Sequence, residues 1–267
     1  MEVTFWGVRG DTPVPGADYV RYGGNTSCID ICDGVGHRAV MDAGTGIIGL
    51  GKSLLGGRLG KGQGEIYIFL THTYWDHVQG FPYLVPAYIP GNKINFWGRS
   101  VSDQPLKKLL EEQMRAEFSP IYELANMGSE ISVNETRSDS LRFGEFTMAT
   151  TVTPHRGKDS LGYRISDGKK TCSLLVDLSY EDGVPKSLVD FVNGADVLVH
   201  DAGETYPENG HPAVDLARKA GVKHLVMTHY PPDFTDDDVD RFQKELQGQA
   251  GGEIRVEAAR EGLSIVL

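Results

Sequence analysis

Four apolar, strand-like runs in this chain end on a histidine or an aspartate. "EIYIFL" runs into "THTYWDH" at residues 71–77, "FTMATTVTPH" ends at His155, "CSLLVD" at Asp177 and "HLVMTH" at His229. Polar side chains gathered where buried strands end are the usual make-up of a site at a sheet edge. A core histidine would more often sit within a strand, beside a backbone partner. The repetition calls for a fold in which several strand ends converge.

The remaining pattern says what kind of fold that is. "EVTFWGV", "SCIDIC", "RAVMDAG" and "KINFWG" read as strands, and many of the 33 glycines stand in the turns between them. "GIIGLGKSLLG" reads as a first helix, and "QPLKKLLEEQMRAE" as an amphipathic one with Leu106, Leu109, Leu110 and Met114 on one face. A second set of strands follows, "EISVNE", "FTMATTVTPH", "LGYRIS", "CSLLVDLS" and "DVLVHDAG". After it come helix "HPAVDLARKAG", strand "HLVMTHY", helix "DFTDDDVDRFQKEL" and the strands "EIRVEA" and "LSIVL". Strands, helices, strands, helices in two similar halves predict two sheets packed face to face with helices outside. No repeat or long linker interrupts the chain, so one domain over 1–267 is expected. The stretch 86–130 separates strands, carries several prolines and is expected to be an inserted helical cap.

At 267 residues and 40% hydrophobic content, the chain can bury a core without staples. No window nears ~18 uninterrupted apolar residues, which argues against a membrane span. The opening "MEVTFWGVRG" has neither a basic nor an apolar signal region, so the cytoplasm is the expected location. Cys28 and Cys32 would stand roughly 13 Å apart along a strand, against about 7 Å for a disulfide. They and Cys172 are expected to be reduced, small hydrophobes. The net charge of −11 and a longest basic cluster of only "GKK" at 168–170 disfavour a large nucleic-acid surface and favour a small substrate.

His72, Asp76 and His77 offer imidazole and carboxylate in one loop, good ligands for Zn, Fe or Mn. With "FWGVRGDTPVPG", "RYGGNTSC", "MDAGTG", "THTYWDHVQGFP", "LGYRI", "GHPA" and "THYPP", nearly the whole chain resembles the metallo-β-lactamase superfamily. The resemblance is strongest to its phosphodiesterase-like branch, which includes tRNA 3′-processing endonucleases and cyclic or phosphonate-ester phosphodiesterases. It implies an α/β fold, a four-layer αββα sandwich, with one or two metal ions (Zn, Mn or Fe) at a sheet edge. One metal position would take His72, position 74 and His155; the other would take Asp76, His77 and His229, with Asp177 bridging them and Asp42 orienting ligands. The implied activity is hydrolysis of a small phosphodiester by a metal-bridged hydroxide. Asp76, Asp201 and His211 are the expected catalytic residues; Asp201 would fix the tautomer of His211, which would bind phosphate or protonate the leaving group.

Position 74 departs from the family pattern, holding Tyr74 where a histidine is expected. Three outcomes are open: a phenolate ligand, best matched by ferric iron; a tyrosine turned away from a three-ligand pocket; or an empty first position. Phenolate ligation would favour a non-hydrolytic di-iron redox or oxygen-sensing protein as the alternative function. An RNA endonuclease ranks lower on charge. Arg156 and Lys158 could meet a phosphate but also suit a solvated loop. "TDDDVD" reads as a helix start capped by Thr235, and His37 and His224 have no assigned role. A homodimer is expected on base rate alone.

Overall fold

A computed structural model describes residues 1–99, 104–117, 119, 123–136, 140–155, 158–180, 183–203 and 210–267. The first half holds β1 (Glu2–Gly7), β2 (Cys28–Cys32), β3 (Arg38–Met41), α1 (Gly46–Ser53), β4 (Glu65–Phe69), α2 (Trp75–Val78), β5 (Lys93–Gly98), α3 (Leu106–Glu112) and β6 (Glu130–Glu135). The second holds β7 (Leu141–Phe143), β8 (Phe146–His155), β9 (Lys158–Ser166), β10 (Thr171–Leu175), α4 (Lys186–Val192), β11 (Val197–Asp201), α5 (Pro212–Lys219), β12 (His224–Thr228), α6 (Asp236–Ala250) and β13 (Arg255–Ala258). The last strand, β14 (Ser264–Val266), returns to pair with β1.

Each half makes a mixed sheet of seven strands among the described residues. The orders are β14-β1-β2-β3-β4-β5-β6 and β13-β12-β11-β10-β9-β8-β7. In each, an antiparallel part joins a parallel part: β3 to β6 in one, β10 to β13 in the other. Side-chain alternation separates the layers. On β1, Val3 and Phe5 alternate with more exposed residues and pack between the sheets with Phe69, Phe146 and Tyr163. Val40, Ile66, Ile68, Ile94 and Phe96 turn the other way, onto Ile47 and Leu50 of α1 and Leu106 and Leu110 of α3. Across the molecule Leu188, Val192, Leu216, Val239, Phe242 and Leu246 of α4 to α6 pack against the second sheet. The result is the expected four-layer α/β sandwich.

Within 86–130 the described residues include β5, which lies in the first sheet between β4 and β6. The run "QPLKKLLEEQMRAE" is helical only over Leu106–Glu112, although Met114 is still buried. Arg156 lies outside the described residues, and the backbone of Lys158 pairs with that of His155 at the start of β9. The acidic run at 235–240 is structural, as expected. Thr235 and Asp238 form a capping box, Asp236 accepts from the Arg21 and Tyr22 amides, and Asp237 and Asp240 pair with Arg21. All three cysteines are free, Cys28 and Cys172 being buried. No helix among the described residues is long and apolar enough to cross a membrane.

Candidate metal centre

Parallel strands deliver their carboxyl ends to the same edge, and the crevice beyond such ends is where α/β folds place ligands. Here Asp42 follows β3, the 71–77 loop follows β4, Asp177 follows β10, Asp201 ends β11 and His229 follows β12, while the antiparallel β8 adds His155. The chain turns sharply as it leaves three of these strands: Asp42, Asp177 and His229 all have positive φ, of 62°, 57° and 60°. For residues with a Cβ this conformation is uncommon, and such strain gathers at functional sites.

The side chains form two adjoining groups. Donor atoms of Asp76, His77, Asp177 and His229 lie within 4.8 Å of one another, as do those of His72, His155 and Asp177. All six residues are buried. Asp177 belongs to both groups: Oδ2 is 3.1 Å from His72 Nε2 and 3.6 Å from His77 Nε2, and Oδ1 is 3.3 Å from His155 Nδ1. Asp76 Oδ2 lies 3.0 Å from His77 Nε2 and 3.1 Å from His229 Nε2. Tyr74 is half-buried, its ring edge-on to His72 and His155 with centroids 4.6 and 5.5 Å apart, which puts it with the His72, His155 and Asp177 group.

Supporting contacts orient these rings. His77 Nδ1 donates to Asp42 Oδ2 at 2.8 Å, and Asp42 also accepts from Thr71 N, Thr71 Oγ1 and Ser27 Oγ. With Nδ1 so engaged, His77 presents Nε2 inward. Asp201 faces His229 more loosely, with Oδ1 3.7 Å from Nδ1, beyond hydrogen-bond distance, and is itself held by the amides of Gly203 and Leu178. His211 caps α5: Nδ1 accepts from Ala213 N, and Nε2 donates to Ala202 O. The backbone thus fixes the tautomer that Asp201 was expected to fix.

The electrostatics favour a cation. Burial alone would suppress charge on His77 and His229, yet Asp42 and Asp76 hold the first, and Asp177, Asp201 and Asp76 the second, well above the ordinary imidazole range. Burial also opposes ionisation of Asp76 and Asp177, but the neighbouring imidazoles outweigh it and hold both far below the carboxylate range. His72 goes the other way, pushed down to about 4 by burial and by the charge of His77. Two features mark the fit to a metal. His77 Nε2 and His229 Nε2 face each other at 3.2 Å, and buried His72 Nε2, though close to Asp177, meets no hydrogen-bond geometry. Convergent imidazole nitrogens and carboxylates are a donor set for Zn, Fe or Mn.

Two seven-stranded sheets with a buried His/Asp centre at their shared edge define an αββα sandwich of metal-centre type. Residues 37–230 match the family model described as the beta-lactamase superfamily domain, and the chain belongs to that family. A ribonuclease Z of Brevibacillus brevis is 33% identical over 75 residues, 24% of this chain; the match spans only about a quarter (24%) of that relative's length. Among solved structures, the metallo-beta-lactamase fold protein YhfI from Bacillus subtilis superposes with a TM-score of 0.69 at 20% identity, covering 99% of this chain and 98% of that one. A diphosphatase of the PhnP family gives 0.68 at 17%, covering 100% and 97%. At these identities the structural likeness speaks for the fold.

Sequence reasoning missed the loop at Gly10–Asp11, which touches both Asp76 and His229. It also missed the buried His200, whose Nδ1 donates to Asp201 O and whose Nε2 accepts from Tyr180 Oη. The signal for His200 was present: it directly precedes Asp201 at the end of an apolar strand.

Proposed function

We propose that this protein is a metal-dependent hydrolase of small phosphodiesters. One observation carries the reading: two buried ligand groups adjoin and share Asp177. A ribonuclease Z relative and a PhnP-family diphosphatase fold support a phosphate ester as substrate. The net charge of −11 supports a small molecule over a polynucleotide. When bound, divalent cations would supply Lewis acidity at a phosphoryl oxygen and acidify an attacking water. Asp76, His77, His229 and Asp177 would hold one ion; His72, His155 and Asp177, with Tyr74 beside them, the other. Asp42 keeps His77 turned inward, and Asp201 faces His229. His211, its pKa pushed down by burial, links Ala202 O at the end of β11 to the first turn of α5.

The test is turnover of bis(p-nitrophenyl) phosphate by protein loaded with Zn, Mn or Fe, with metal content counted. Hydrolysis is expected, and Asp177→Ala should lose at least about 10²-fold in kcat/KM, since its removal disturbs both groups at once. Full metal occupancy without turnover would refute the hydrolase reading. The placement of Tyr74 against both His72 and His155 favours one second reading, a non-hydrolytic iron protein with a phenolate ligand. That reading expects a visible phenolate-to-iron band in the ferric protein, absent in Tyr74→Phe; a colourless wild type loaded with ferric iron would exclude it.

A further inference from the structure

The loop after β1 enters the candidate centre at two points. The Asp11 amide donates to Asp76 Oδ2 at 2.9 Å, the same oxygen that faces His77 and His229. Gly10 lies flat against the His229 ring: a Cβ there would fall 2.6 Å from Cε1 and 2.8 Å from Nδ1. Only glycine leaves that ring where it stands.

This loop is anchored from several sides. Gly10 N donates to Tyr230 O and Tyr230 N to Val8 O, both at 2.9 Å, tying the loop to the residue after His229. The fully buried Arg9 reaches Gly23 O and Phe234 O, with its guanidinium near the Tyr19 and Tyr230 rings. Backbone strain points to the same place. Five described non-glycine residues have positive φ; Asp42, Asp177 and His229 belong to the centre, and Asp11, at 57°, is a fourth. An aspartate tolerates this conformation at some cost. Here the turn aims the Asp11 amide at Asp76.

We propose that Gly10 and the Asp11 amide are positioning residues for the Asp76, His77 and His229 pocket. Gly10 sets where the His229 ring stands, and the Asp11 N–H holds the Asp76 carboxylate. The proposal rests on the metal-centre reading. It assigns the work to the backbone and to the absence of a side chain at Gly10.

The test compares wild type and Gly10→Ala by zinc competition against a chelating dye and by the absorption spectrum of the cobalt-loaded proteins. Gly10→Ala should bind one ion about 10–100-fold more weakly, the scale seen when groups supporting metal ligands are lost, with an altered cobalt spectrum. Wild-type behaviour in Gly10→Ala would overturn the assignment. Should Gly10→Ala fail to fold, hydrogen exchange on wild type decides. Zinc should slow exchange of the Asp11 amide, because Asp76 is then fixed, and an unchanged rate overturns the proposal. A wild type that takes up no metal would instead defeat the metal-centre reading beneath it.

Discussion

His200 shows how much one buried side chain can hold in place behind the centre. Its ring is buried, Nδ1 donates to Asp201 O and Nε2 accepts from Tyr180 Oη, both at 2.8 Å. That arrangement needs the neutral imidazole, and burial first, then the charge of His211, pushes the pKa down to about 4. In the unfolded chain it should lie near the usual value of about 6.5. The unfolded state then binds the extra proton first, so stability present above pH ~6.5 is lost as the pH falls toward ~4. The gap is worth about 3 kcal/mol at most. Replacing His200 with Phe should remove this part of the acid sensitivity while costing about 1–3 kcal/mol at neutral pH for the stranded Tyr180 hydroxyl. Urea unfolding at several pH values checks this, and identical pH profiles for both proteins would refute it. The candidate ligands were legible because a His or Asp ending an apolar run breaks the pattern. The part of Gly10 and Asp11 was not, since every residue but proline carries an amide and nothing among 33 glycines marks the one that faces the site.

Among the elements, α6 and β13 show how a sheet edge is closed by side chains. Among the described residues β13 pairs only with β12, so its outer amides need other acceptors. Gln247 Oε1 accepts from Val256 N and Gln243 Oε1 from Ala258 N, while Gln247 Nε2 returns to Gly251 O and Ile254 O. Gln247→Ala should therefore cost about 1–3 kcal/mol and speed hydrogen exchange at Val256 with little change at β4; uniform exchange would argue against this local role. The start of α6 was readable from Thr235, because a capping hydroxyl followed by acidic residues is a local signal. The end of α3 was not: apolar spacing continues to Met114, but the chain leaves the helix after Glu112 and buries Met114 from a turn. The seven residues of α4 passed unread, since two turns give periodicity too little length to register.

Across the whole molecule, the centre lies on the seam between the sheets. His72, Asp76 and His77 come from the first sheet, and His155, Asp177 and His229 from the second. The sheets are otherwise joined by apolar contacts such as Phe69 against Tyr163, ring centroids 5.8 Å apart. A cation held by both sets of ligands would act as a cross-link between halves, because the unfolded chain cannot assemble them. Binding to the native state alone adds about 4 kcal/mol at a thousandfold excess over Kd, roughly 10 °C in Tm for a domain of this size. Chelation should lower Tm by that order. His77→Ala should shrink the difference between chelated and loaded protein, by removing a candidate ligand of one of the two groups. Phe69→Ala should lower both forms alike, by about 3–5 kcal/mol, through the cavity it opens between the sheets. Scanning calorimetry with metal counted before and after chelation separates these effects. If wild type melts at one temperature whether loaded or stripped, the centre does not bridge the sheets, and the apolar seam alone holds them together.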